Sequence, residues 1–484
     1  MVFNSYEYLI FLAVVVGLHA AQPNARRQNA LLLAASLLFY ARWDWRFPAV
    51  IVVMALVNYG AGRWINSLSD RQRKRVFVGA VAANLFALGV FKYLNFFLDS
   101  AVSLLKAAGV MVAAPALQII IPAGIAFYTL QQLTYLIGVY RRELHPTRDL
   151  LQFAAFTVFF PQLLAGPIER AARLLPQWEQ RRRPTPDQVE SGLLLILSGL
   201  FKKTVLADVA ASLIDPRVFS DPGIFSGGEV LLTVYLFAAQ VYLDFAAYSD
   251  IARGSARLLG IELMVNFRQP YFAQTISEFW SRWHISLSSW FRDYVFLPVS
   301  RGLLKRWGSA RAPLVLVISH LVTMLISGLW HGANWTFVTW GLLLGVYMVI
   351  SHQLRGRALP YLRHRSPIVR YLTTGLRLAL TFHLILSAWV FFRIDAISLA
   401  PAAFERLASV LLKGDLGKGA ALIAPTLALY AAMLALDLAQ AHVSEGAFRQ
   451  RLPGLARTAV YAGALLVIAF FSVKPYVPFV YFQF

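Results

Sequence analysis

Two histidines in apolar surroundings are the residues best suited to chemistry in this sequence. His331 lies in the segment GLWHGANW at 328–335, between two apolar stretches, and His284 lies in a segment that mixes aromatic and charged residues. Burial disfavours the charged imidazolium, so such a ring stays neutral and can take a proton from a hydroxyl group as a general base. The alternatives are a core histidine bonded to a neighbour for His331 and a helix-anchoring residue for His284.

Aromatic, charged and amide residues beside these histidines are candidates for binding a substrate or a donor. They are Trp283, Arg282, Arg292, Asp293, Trp330 and Asn334. The two arginines and the aspartate would bind a phosphate-bearing donor, or they would form ion pairs on a solvated face. The other histidines are interpreted as structural, except that His320 lies about three helical turns before His331. No pattern predicts a metal site, and the common serine-hydrolase, P-loop and zinc-protease motifs are absent from the sequence.

Four charged residues interrupt the apolar stretches. They are Lys202, Lys203, Asp244 and Asp250. A charge at the centre of a bilayer costs about 2.5–3.5 kcal/mol on insertion scales, so these side chains are predicted to face the interior of a helix bundle or a water-filled cavity. Ion pairing between the two helices that carry them is the structural alternative.

The composition identifies the class of protein that must position these residues. Of 484 residues, 58% are hydrophobic and 14% are charged, against about 45–50% and about 25% in ordinary globular chains. A soluble fold, a disordered chain, collagen and a coiled coil are therefore excluded, and a multi-pass membrane protein remains. The net charge of +21 resides in loops between apolar stretches, which indicates an anionic membrane surface rather than nucleic acid. The absence of cysteine excludes disulfides, thiolate metal sites and a cysteine acyl-enzyme.

The apolar stretches predict an all-α, polytopic membrane protein with about 11–13 membrane-embedded helices, including re-entrant and interfacial ones. We expect one domain over residues 1–484. The candidate spans are 6–20, 28–41, 47–66, 76–97, 119–140, 190–213, 227–258, 313–330, 333–352, 371–393, 421–440 and 458–473.

The basic loops predict the orientation in the membrane, because lysine and arginine are enriched in cytoplasmic loops. The basic clusters are Arg26/Arg27, Arg71–Arg75, Arg141/Arg142, Arg170–Arg183, Arg301–Arg311, Arg355–Arg370 and Arg449–Arg457. The segments poor in basic residues, which are predicted to lie outside, are 98–118, 214–226, 394–412 and 475–484. Both termini are then extracytoplasmic, provided that 150–166 dips into the membrane and returns. The helical hairpin 313–352 would place His331 deep in the membrane.

The segment 274–297 differs from the apolar stretches because it mixes charges with aromatic residues. Its large apolar residues, including Phe279, Trp283 and Trp290, recur at helical spacing. We predict one amphipathic helix at the cytoplasmic interface.

Several long segments resemble the membrane-bound O-acyltransferase family, in the bacterial branch that contains the membrane subunit of alginate O-acetylation. The segments are 266–271 (NFRQPY), 277–294 (SEFWSRWHISLSSWFRDY) and 328–335, with further agreement at 37–40, 91–93, 122–128, 160–167, 389–393 and 479–484. The resemblance runs nearly end to end, and its most family-like core is about 118–345.

The resemblance implies a ring of tilted helices around a transmembrane tunnel, with His331 as the catalytic histidine and His284 as the second polar position. It implies transfer of an acetyl group across the bacterial inner membrane from cytoplasmic acetyl-CoA, which is the acyl-donor substrate, and no cofactor is expected. The acceptor would be alginate, peptidoglycan, cellulose or another exopolysaccharide, reached through a separate extracytoplasmic acetyltransferase. Membrane lipids are the other expected partners. Two alternatives remain: D-alanyl transfer to teichoic acids through a carrier protein, and a polysaccharide or lipid transporter. A transporter would be expected to show internal symmetry.

Overall fold

The computed structural model describes residues 1–112, 119–362, 366–442, 453–472 and 478–480, without the side chains of 355–362 and 441–442. Among these residues the regular structure is helical and contains no β-strand, which confirms the all-α prediction. Several sequence predictions fall partly outside the described residues. They concern the loops 98–118, 355–370, 449–457 and 475–484, the end of the predicted span 458–473, the terminal family-like block 479–484 and the first residue of the predicted core, 118.

Most helices follow one another after short connections. The first ten are α1 Tyr6–Ala21, α2 Ala25–Ala41, α3 Phe47–Ser67, α4 Asp70–Leu88, α5 Leu94–Ala107, α6 Ile125–Tyr140, α7 Leu150–Val158, α8 Phe160–Leu163, α9 Ala171–Leu174 and α10 Pro186–Phe201. The remainder are α11 Asp208–Leu213, α12 Arg217–Ser220, α13 Gly227–Leu258, α14 Ile276–Arg282, α15 Ile285–Phe291, α16 Leu297–Trp307, α17 Ala312–His331, α18 Trp335–Leu362, α19 Pro367–Arg393, α20 Ala400–Lys413, α21 Ile423–His442 and α22 Gly454–Phe471.

Eight helical stretches in the described part of the chain are long and apolar enough to cross a membrane. They are Phe47–Ser67, Asp70–Ala107, Gly227–Leu258, Ser309–His331, Trp335–Leu354, Pro367–Arg393, Gly417–Gln440 and Gly454–Phe471. The four other predicted spans also contain helices, but these are shorter or carry buried charges. The helix expected over 119–140, for example, begins only at Ile125. The multi-pass prediction is confirmed, whereas the orientation stays a prediction.

The chain forms two compact units, one of residues 1–200 and 248–264, the other of residues 201–247 and 265–484. Buried amides join helices within the first unit. Asn58 on α3 and Asn84 on α4 exchange hydrogen bonds of 3.0 and 2.7 Å, and Asn58 also donates to Gln132 on α6. Such bonds hold helices together where apolar surface alone gives little preference for one neighbour over another.

The segment 150–166 consists of the short helices α7 and α8, which are separated by Phe159 and largely buried. Neither helix is long enough to cross a membrane, which needs about 20 residues. This break agrees with a segment that does not span, as the basic loops on both sides of it require.

In the second unit, α17 and α18 form the predicted hairpin, and glycines let the two helices approach closely. A Cβ atom at Gly328 would collide with the Phe337 carbonyl oxygen, and one at Gly341 would collide with the Met324 carbonyl oxygen. The connection is only the three residues 332–334. The hairpin therefore fixes the backbone around His331, the last residue of α17.

The predicted single amphipathic helix over 274–297 is wrong. The segment contains α14, a break at Trp283 and His284, α15, and a π-helical turn at Arg292–Phe296 that leads into α16. The apolar residues keep their helical spacing across this break, so the spacing alone does not reveal it. The break arises because His284 adopts the left-handed conformation, with φ of 42° and ψ of 52°.

Each charged residue within the apolar stretches has a polar partner, but among the described residues only Lys203 and Asp244 form the ion pair between the two helices that was the structural alternative. The Lys203 ammonium lies 2.8 Å from Asp244 and 2.9 Å from Asp208, and both Lys203 and Asp244 are buried. Lys202 donates to the Gln440 side chain at 3.1 Å. In the first unit, Asp250 lies 3.8 Å from Arg253 on its own helix.

Candidate active site

His331 is enclosed by aromatic rings at the tip of the α17–α18 hairpin. Its ring centroid lies 4.9 Å from that of Trp330, 5.0 Å from that of Trp340 and 5.4 Å from that of Phe392, all with edge-on geometry. Only 7% of the residue is exposed. Three aromatic rings packed around one imidazole limit the access of water to it.

The backbone at His284 is held in its uncommon conformation by the preceding segment. The Ile285 N–H donates to the Asn266 carbonyl at 2.9 Å, and the Ser286 N–H donates to the Asn266 side-chain oxygen at 3.3 Å. A non-glycine residue at positive φ costs about 1–3 kcal/mol and persists only where its surroundings impose it. Because such positions cluster at functional sites, this geometry points to His284 independently of its side chain.

The His284 side chain lies in the core and not at an interface. It is 0% exposed, and its ring stands edge-on to Phe245 with a centroid distance of 4.6 Å. Burial lowers the pKa of the His284 imidazole, so the ring is neutral near pH 7. Its placement removes the alternative in which His284 anchors an interfacial helix.

Trp330 contacts both histidines. Its ring centroid lies 6.0 Å from that of His284 and 4.9 Å from that of His331. The indole is itself 4% exposed, so the two imidazoles are joined by one buried side chain. The structure thus brings together the two histidines that the sequence singled out.

The other predicted binding residues have structural contacts. Arg282 lies 2.8 Å from Glu278, and Arg292 lies 2.9 Å from Asp293, as in the ion-pair alternative. Asn334 accepts from the Thr336 N–H at 3.0 Å. Roles for these residues in binding a donor stay predictions.

Trp283 is part of an aromatic cluster. Its centroid lies 5.1 Å from those of Phe267 and Trp389 and 5.5 Å from that of Phe279. The residue is 1% exposed, and it supports the break at His284 by packing. Direct contact between Trp283 and a substrate stays a prediction.

A cavity of about 360 Å³ is lined by residues of α14 and α15, which flank His284 in the chain, and of α17, which ends at His331. His284 and His331 do not line it, but their neighbours Ile285 and Ser327 do. Its polar lining includes Arg292, His320 and hydroxyl groups of several serines. Nδ1 of His320 donates to the Leu316 carbonyl at 2.9 Å, so in the neutral ring Nε2 is the acceptor.

Sequence reasoning missed the residues that position the two histidines. Asn266 and Phe392 lie in segments that carry the family resemblance, and this signal could have identified them. Phe245 and Trp340 carry no local signal, because only the packing of distant helices brings them to the site. Within the described ranges, no group of three or more histidine or acidic residues is arranged to hold a metal ion.

Comparison with known proteins finds a matching family model and several similar sequences. The family model "MBOAT, membrane-bound O-acyltransferase family" matches residues 140–370. The probable alginate O-acetylase of Azotobacter vinelandii is 38% identical over 405 residues, which cover 83% of this chain and 76% of that protein. The peptidoglycan O-acetyltransferase of Helicobacter pylori is 31% identical, with coverage of 81% and 77%. A teichoic acid D-alanyltransferase of Streptococcus thermophilus is 30% identical, over 47% of this chain and 56% of that protein.

Proposed function

Because the chain belongs to the membrane-bound O-acyltransferase family, we propose that it moves an acetyl group from cytoplasmic acetyl-CoA toward a hydroxyl group of an extracytoplasmic polysaccharide. The observation that carries this proposal is the pair of buried histidines on one buried tryptophan, Trp330. An imidazole near a cavity is a group that can act as the general base in acyl transfer to a hydroxyl.

His331 acts as the general base in this proposal. The acceptor hydroxyl gives its proton to a ring nitrogen of His331 while its oxygen attacks the thioester carbonyl. A C–O bond forms, the C–S bond breaks, and the proton passes from the imidazole to the departing thiolate. Positioned proton transfer of this kind contributes about 10²–10⁴-fold to the rate. An acyl-histidine intermediate is a less favoured variant.

The aromatic rings around His331 protect the thioester. Water would compete with the acceptor for the activated carbonyl, and Trp330, Trp340 and Phe392 leave little room for it. The same rings orient the imidazole, so that one nitrogen is directed consistently toward the acceptor.

The neighbouring cavity supports a site for the donor. A volume of about 360 Å³ lies within the range of about 300–1,000 Å³ typical of ligand pockets. His320 and the lining hydroxyls can accept the amide N–H groups of the pantetheine arm. Arg292 at the same cavity supplies a positive charge for a phosphate if it leaves Asp293. His284 positions the acyl end of the donor through the cavity wall, since the adjacent Ile285 lines the cavity.

The acceptor is proposed to be a polysaccharide reached through an extracytoplasmic acetyltransferase. Relatives named for alginate and peptidoglycan acetylation cover more than four-fifths of the chain, whereas the D-alanyltransferase relative covers less than half. Acetyl transfer is therefore favoured over D-alanyl transfer. Both reactions use a cytoplasmic acyl donor and an external hydroxyl, so they must be separated by experiment.

The test compares cells with and without the gene. We expect mass spectrometry of the envelope polysaccharides to show acetyl esters only when the gene is present. Membrane vesicles supplied with isotope-labelled acetyl-CoA should transfer the label to the same polymer. Loss of D-alanyl esters with unchanged acetyl esters would replace this proposal with D-alanyl transfer. Unchanged esters of both kinds would remove both.

A further inference from the structure

A second cavity lies in the first compact unit, among α2, α3 and α7. Its volume is about 740 Å³, and apolar residues of all three helices line it, among them Leu37, Leu56 and Ala154. The groove is open along its side, since Leu56 and Leu150 are 48% and 39% exposed. In a membrane, such a wall faces acyl chains.

Two arginines, Arg26 and Arg148, also line this groove and give it a cationic part. The Tyr59 hydroxyl donates to the Arg148 carbonyl oxygen at 2.8 Å, which holds the backbone of Arg148 at the groove. Within the described part of the chain, neither guanidinium has an ion-pair partner. Asp149 also lines the groove, but its carboxylate caps α7 by accepting the Leu151 and Gln152 N–H groups.

A smaller cavity of about 510 Å³ continues the groove. It shares Arg26 and Leu151 with the larger one and adds Asn24 and Arg27. The two cavities together present a long apolar wall beside three arginines. Arginines next to an apolar wall match the groups of a phospholipid, which has a phosphate at one end and acyl chains at the other.

We propose that this groove binds an anionic phospholipid of the cytoplasmic leaflet, with its phosphate between Arg26 and Arg148 and an acyl chain along α2, α3 and α7. Charge complementarity selects this occupant, because guanidinium groups bind phosphate oxygens in pairs and basic pockets between membrane helices favour anionic headgroups. The loop charges predict that Arg26 and the loop before α7 face the cytoplasm, where anionic lipids occur. A zwitterionic lipid would add its own positive charge beside the arginines.

This site is separate from the proposed acyl-transfer site. All of its residues belong to the first unit, whereas His284, His331 and the cavity of about 360 Å³ belong to the second. The proposal therefore does not depend on the proposed function. The lipid would connect α2 and α3 to α7, the short helix that does not span.

The test uses native mass spectrometry of the purified full chain in detergent, with phosphatidylglycerol or phosphatidylcholine added at equal concentration. We expect selective retention of phosphatidylglycerol. The double variant Arg26→Gln/Arg148→Gln should lose about tenfold or more of this retention, because a charge-assisted hydrogen bond contributes about 1.5–3 kcal/mol. The control Arg71→Gln/Arg75→Gln removes the same charge at exposed positions of α4 and should bind as the parent does.

A third variant tests the apolar part. Ala154→Phe fills the groove while both arginines remain, and we expect it to retain less phosphatidylglycerol than the parent. Size-exclusion chromatography and thermal unfolding of each variant establish that it is folded. Equal retention by the Arg26/Arg148 variant and the Arg71/Arg75 control would overturn the proposal. Equal retention of phosphatidylglycerol and phosphatidylcholine by the parent would also overturn it.

Discussion

The His284 ring lies 6.0 Å from the Trp330 ring, although the two residues come from different helical segments. Trp330 also contacts His331, its neighbour in sequence. The Trp330 indole therefore contacts both His284, which lies at the break between α14 and α15, and His331, which ends α17 at the hairpin tip. A change at either histidine will alter the packing of this tryptophan, so activity and stability must be measured together for each variant.

His331→Ala should lower the acetyl ester content of the polymer by about 10²-fold or more, because the acceptor hydroxyl loses its base. His331→Gln should fail similarly, since glutamine forms hydrogen bonds but does not accept the proton. Ester content is measured against the membrane abundance of each variant. His145→Ala, at an exposed loop position, is the control. Near-normal ester content in well-expressed His331→Ala cells would remove the general-base role.

His284→Ala should raise the KM for acetyl-CoA more than it lowers kcat, because His284 is assigned to positioning the donor. His284→Gly should have the same kinetic defect but a higher unfolding temperature than His284→Ala. Glycine adopts the positive φ of 42° without the cost of about 1–2 kcal/mol that a side chain incurs in the left-handed region. A fall in kcat as large as that of His331→Ala, with unchanged KM, would instead make His284 catalytic.

Lys203→Met should destabilise the protein by about 3–5 kcal/mol, because Asp244 and Asp208 would be left without their shared cation. The measurement is the midpoint of thermal unfolding in detergent. The control is Arg217→Gln, which removes an exposed pair with Asp215 and should leave the midpoint unchanged. Adding Asp244→Asn to Lys203→Met should recover part of the loss. Equal midpoints for Lys203→Met and the control would contradict this role.

Gly328→Ala should destabilise the α17–α18 hairpin, because the new methyl group would collide with the Phe337 carbonyl and Gly341. Overpacking of this kind costs about 1–3 kcal/mol. Gly375→Ala on α19 meets no atom within 4 Å and should be neutral or slightly stabilising, since alanine is the better helix former. Unfolding midpoints compare the two variants, and equal shifts would show that the hairpin tolerates the methyl group.

The predicted orientation can be tested with single cysteines, because the chain has none. Ser220→Cys, at an exposed position in the segment predicted outside, should react with an impermeant thiol reagent in intact cells. Gln72→Cys, exposed in a basic cluster, should react only after the cells are opened. The reverse pattern would invert the orientation.

The sequence by itself determined the class of fold and the two central histidines. A membrane-spanning helix is recognised from the length and summed hydropathy of one continuous stretch of sequence. The multi-pass helices and the hairpin 313–352 were therefore predictable. His331 and His284 were predictable because their segments are distinctive and resemble a known family. The pairing of Lys203 with Asp244 was foreseen only as an alternative, since burial demands a partner but does not say which one.

Only the tertiary structure decided how the two histidines are held. Apolar spacing predicted one helix over 274–297. Instead, the Ile285 and Ser286 N–H groups donate to Asn266, and these bonds stabilise the left-handed turn at His284 that interrupts the helix. The rings of Trp340 and Phe392 reach His331 from α18 and α19. Periodicity describes a residue's neighbours three or four positions away, whereas these contacts join residues that meet only when the helices pack.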